Sequence, residues 1–130
     1  LIFCSGKIYH DLVAERARLN DSSTAIVRVE RLYPLPIAQM EVEAKKHPNA
    51  NLLWVQDEPA NQGAWPFMLL EVSPRLEGRV LRNVSRPSSA SPAVGSAKRH
   101  AVEAAEILIR ASTSRSRKRV RTTSSRKLSL

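Results

Sequence analysis

Residues 1–19 read LIFCSGKIYHDLVAERARL, and two different periods meet inside them. Leu1 to Cys4 form an unbroken apolar run, the pattern of a strand covered on both faces. After Ser5-Gly6-Lys7, the apolar residues Ile8, Leu12 and Leu19 recur near helical spacing, with Val13 beside them. Ser5 is the expected N-cap of that helix, and Asn20-Asp21 its stop. The chain thus opens as strand then helix.

The same alternation continues. Thr24 to Glu30, TAIVRVE, is rich in β-branched residues and predicts a second strand. Tyr33-Pro34-Leu35-Pro36 predicts a rigid turn, with Pro36 in the first turn of a helix over IAQMEVEAKKH, residues 37–47. Pro48 ends that helix, because the residue before proline avoids the α region. Asn51 to Gln56, NLLWVQ, predicts the third strand, and DEPANQGAW, residues 57–65, a loop. A further helix is expected to start near Asn61 or Gln62, with Pro66 in its first turn. Arg79 to Val84 predicts the fourth strand, SRPSSASPAVG (85–95) a long polar loop, and AKRHAVEAAEILIRA (97–111) a last helix capped by Ser96. The expected buried face of that helix is Ala101, Val102, Ala105, Leu108 and Ile109. Strands alternating with helices predict an α/β fold, a mostly parallel sheet of about four or five strands flanked by helices in three layers.

A chain of 130 residues fits one domain, and 42% hydrophobic residues is ordinary for a globular protein. The chain opens directly in an apolar run at Leu1, which implies further sequence upstream. No apolar run is long enough for a bilayer span, and no basic leader precedes LIFC. The single cysteine, Cys4, cannot form an internal disulfide and reads as a small buried residue. The net charge of +9 divides unevenly: Arg115, Arg117, Lys118, Arg119, Arg121, Arg126 and Lys127 supply +7 within residues 112–130. The other 111 residues carry 14 basic and 12 acidic side chains, so the body is nearly neutral and no nucleic acid partner is expected for residues 1–111. The expected organisation is a domain over 1–111 and a disordered Ser/Arg-rich tail over 112–130.

In open parallel sheets, function gathers beyond the carboxyl ends of the strands. Asp57 and Glu58 are adjacent carboxylates there, but consecutive residues leave a strand end in opposite directions, which favours a hydrogen-bonding loop over shared acid/base work. Trp65 reads as a core or interface anchor. The 85–100 loop ends with Gly95-Ser96 at a helix start, followed by Lys98, Arg99 and His100. Free backbone N–H groups, a hydroxyl and cations there suit a phosphate, and the plainer reading is a capped helix with solvated charges. The candidate anion, effector or interface residues are Arg86, Ser96, Lys98 and His100. His10, His47 and His100 have no metal spacing, and no P-loop, dinucleotide fingerprint or nucleophile elbow is present. No catalytic, cofactor-binding or metal-binding residue is therefore assigned.

Three stretches resemble one known family. LIFCSGKIYHDLVAER is similar to the opening of the C-terminal domain of 2-oxoglutarate dehydrogenase decarboxylase components. AIVRVERLYPLP, followed by NLLWVQDEPANQGAWPF, and then VSRPSSASPAVGSAKRHAVEAAEIL, resemble the same domain in order and interval, covering residues 1 to about 111. The resemblance implies a transketolase C-terminal-like α/β unit that buttresses a homodimer near its active-site entrance. It implies an intact enzyme that decarboxylates 2-oxoglutarate with thiamine diphosphate and Mg2+, and passes the succinyl group to a lipoyl arm of the dihydrolipoyl succinyltransferase component. The cofactor and catalytic residues belong to upstream domains, so none is expected in this chain. The partners implied are the remainder of the decarboxylase subunit and its homodimer mate. The compartment implied is bacterial cytoplasm or mitochondrial matrix. QDEP and SASPAVGS set the chain apart from the related pyruvate and branched-chain components. The run from Ser112 stands outside the resemblance, and it motivates one alternative: a free-standing binding module whose basic tail meets nucleic acid or anionic membrane.

Overall fold

In a computed structural model, residues 1–114 are described. Their elements run β1 (Ile2–Cys4), α1 (Ile8–Arg18), β2 (Ile26–Arg28), α2 (Ile37–Lys46), β3 (Leu52–Pro59), α3 (Trp65–Glu71), β4 (Leu81–Arg86) and α4 (Ala97–Thr113), with a 3-10 turn at Ser73–Arg75. Of the tail expected to be disordered over 112–130, residues 112 and 113 continue α4, and 115–130 lie outside the described residues.

The four strands form one all-parallel sheet in the order β2-β1-β3-β4, flanked by helices, as the alternation predicts. The chain starts at β1, steps outward to β2, then crosses back over β1 to β3. That reversal puts helices on both faces. On one face, α1 and α4 pack Ile8, Leu12, Ile107 and Ala111 against Ile2, Cys4, Leu53, Val55 and Val84. On the other, α2 and α3 pack Met40, Ala44 and Met68 against Phe3, Leu52 and Trp54. Central strands covered on both sides explain the unbroken apolar runs LIFC and LLWV.

Several boundaries depart from expectation. Ser5 does not cap α1: the helix starts after Lys7 with no side-chain cap. Gly6 sits at φ +73 and turns the chain between strand and helix, so the Ser5 hydroxyl comes too early to reach the first turn. Lys7 pairs with Asp11 at 2.8 Å across that turn instead. Asn20, at φ 50, does end the helix, and the Asp21 carboxylate accepts from Ser23 and Thr24. β2 is shorter than Thr24–Glu30, because as an edge strand it has only β1 to pair with. β4 runs two residues further than Val84, which places Arg86 on a strand and not in a loop.

The inner face of α4 also differs. Ile107 and Ala111 are buried, with Ala104 and Leu108 half-buried, whereas Val102 is 52% and Ile109 56% exposed. The helix is apolar on two flanks, so periodicity alone does not choose between them. The Arg110 guanidinium donates to the Ser85 carbonyl at 2.8 Å, and Glu103 faces Arg86 at 3.7 Å. These polar anchors set the rotation and turn Val102, Ala105 and Ile109 outward.

Cys4 is fully buried, as expected, and burial pushes its thiol up to about 11. Iodoacetamide at about pH 8 should leave Cys4 unlabelled in the native chain and label it on denaturation. Rapid native labelling, read by mass spectrometry, would contradict this packing.

Candidate functional site

The point where the strand order reverses lies between β1 and β3, and their carboxyl ends are Ser5-Gly6-Lys7 and Asp57. A parallel doubly wound sheet opens its crevice there. The end of β3 is built by one side chain. Gln56 is buried, and its Oε1 accepts from Trp54 Nε1 at 2.9 Å and from the Trp65 backbone N–H at 2.8 Å. Its Nε2 donates to the Pro59 carbonyl at 3.0 Å and the Gln62 carbonyl at 2.7 Å. Every polar valence that a buried amide must satisfy is thereby engaged in folding the chain back on itself.

The DEP residues are therefore not a loop. They continue β3 through an irregularity between Val55 and Pro59, after which Pro59 pairs with Arg86. Residues 60–64 form the turn, and α3 begins at Trp65, later than Asn61 or Gln62, because the Gln56 bond to Trp65 N–H fixes the first turn. Pro66 lies in that first turn, as expected. Gly63 sits at φ +65, and a Cβ there would lie 2.9 Å from Glu58 Cβ and 3.1 Å from Gln56 Nε2. WVQDEPANQGAW is accordingly one self-closing unit.

Asp57 is half-buried and Glu58 exposed, the opposite facing that their adjacency predicts. Burial raises the Asp57 carboxyl above its usual value, with the Lys7 ammonium pulling it back and Glu58 adding to the rise. His100 also acts favourably on Asp57. Lys7, Asp57 and His100 thus meet electrostatically at the switch point, from β3 and the starts of α1 and α4. Lys7 and this meeting escaped the sequence reading, because nothing in sequence spacing relates residues on three elements.

The four candidate residues divide into two kinds. Arg86 is buried, and its guanidinium donates to the Asp57 carbonyl at 2.5 Å and the Pro92 carbonyl at 2.7 Å. It braces the 87–96 loop against β3 and α4. Ser96 caps α4, its hydroxyl accepting from Arg99 N at 3.4 Å. Lys98 and His100 are exposed on the first turn of α4. The loop is also held by Asn61 and Gln62, whose side-chain amides donate to the Ser89 carbonyl at 2.9 and 2.8 Å. Among the described residues no three His, Cys, Asp or Glu side chains are grouped to hold a metal ion, and no helix is long and apolar enough to cross a membrane.

Residues 1–112 match the family model described as 2-oxoglutarate dehydrogenase C-terminal. The chain belongs to that family. It is 46% identical over 102 residues to the 2-oxoglutarate dehydrogenase E1 component of Cupriavidus necator, a match covering 77% of this chain and 11% of that protein. It is 42% identical over 111 residues to the multifunctional 2-oxoglutarate metabolism enzyme of Mycobacterium sp. strain JLS, covering 83% of this chain and 9% of that protein. The relative from strain KMS matches at the same identity and coverage. The family's C-terminal domain therefore accounts for the fold, and the chain spans about a tenth of the length of these relatives. The match runs through both specific blocks, QDEPANQGAW and RPSSASPAVGSAKRH, and favours a decarboxylase-component domain over a free-standing binding module.

Two outcomes test the site. Gln56→Leu leaves the Trp54 and Trp65 donors and the Gln62 carbonyl without their side-chain partner, and should destabilise the chain by about 2–4 kcal/mol in urea unfolding. For Asp57, the folded pKa lies above the unfolded one, so the native state holds the proton more tightly and stability falls as pH rises through the carboxylate range. Asp57→Asn should therefore stabilise the chain at about pH 7 and lose that advantage as pH falls to about 3, where the carboxyl is protonated in both states. An advantage that persists or grows at low pH would contradict the assignment.

Proposed function

We propose that this chain is the C-terminal domain of a 2-oxoglutarate dehydrogenase decarboxylase component, acting as a structural and docking unit of a larger enzyme. The observation that carries the reading is the 46% identity over 102 residues to a protein named for that component. The enzyme's reaction is the decarboxylation of 2-oxoglutarate and succinyl transfer to a lipoyl arm. Its partners are the remainder of the subunit, a homodimer mate and the dihydrolipoyl succinyltransferase component. In a bacterium this places the protein in the cytoplasm, and in a eukaryote in the mitochondrial matrix.

The intact enzyme uses thiamine diphosphate and Mg2+. The cofactor belongs to other parts of the enzyme, and no catalytic step is assigned to this chain. What the chain contributes is a rigid carboxyl edge. Arg86 holds the 87–96 loop, and Ser96, Lys98 and His100 face outward from the start of α4 as the contact for a neighbouring domain or an anionic effector. The exposed stripe Val102, Ala105 and Ile109 supports docking along the same helix.

The 130-residue chain, supplied with 2-oxoglutarate, thiamine diphosphate and Mg2+, should release no CO2 above a no-protein control. Conversely, residues 1–114 grafted in place of the matching C-terminal region of the Cupriavidus necator relative should give an active decarboxylase. Turnover by the chain alone, or a folded but inactive chimera, would defeat the reading. In an active chimera, Lys98→Ala with His100→Ala should weaken dimer affinity or effector response, and no change in either would remove the contact assignment.

A further inference from the structure

We draw no further inference here: the strongest candidate, the Lys7, Asp57 and His100 side-chain cluster where the ends of β1 and β3 meet the start of α4, belongs to the site already described and adds to it only the raised Asp57 carboxyl.

Discussion

The side-chain amide of Gln56 ties together groups from four positions: the Trp54 indole, the Trp65 backbone N–H, and the Pro59 and Gln62 carbonyls. Burial makes each of these bonds obligatory, because a donor or acceptor stranded away from water there would cost about 1–3 kcal/mol. The closure fixes where β3 ends, where the turn containing Gly63 sits and where α3 starts. β3, like β1 and β4, touches both core clusters, through Leu52 and Trp54 on one face and Leu53 and Val55 on the other. A slip at its carboxyl end would disturb both layers of helices.

Arg86 extends that order outward. Its guanidinium lies between the end of β3, the 87–96 loop and Glu103 of α4, while Arg110 of the same helix holds the Ser85 carbonyl. A buried cation placed among carbonyls and a carboxylate satisfies its donors without needing a ligand. Arg86, one of the four candidate residues in the sequence, is held in this way as a brace. The charges left to face neighbours are Lys98 and His100, with Lys7 and Asp57 at the crevice between β1 and β3.

The surfaces that face outward fit a domain that works in company. α4 carries apolar residues on its outer flank, and among the described residues β2 and β4 are the edges of the sheet. The relatives, of which the matched region is about a tenth, have other parts to meet such surfaces.

The alternation of periods in LIFCSGK…, TAIVRVE, NLLWVQ and RVLRNV determined the parallel α/β architecture, because strands buried on both faces must be apolar throughout and helices covering them on one side only must be amphipathic. The Ser96 cap and the Pro66 first turn were equally legible, being local chemistry between near neighbours. What only the tertiary structure decided was every choice between local options of similar energy. Ser5 looked like a cap, but Gly6 turned the chain past it. α4 offered two apolar flanks, and Arg110 and Glu103 chose between them through partners on β4. DEP read as a loop until Gln56 and Arg86 drew it into β3. In each case the deciding contact joins residues that are distant in sequence, or depends on a buried polar group whose need for partners appears only once water has been excluded.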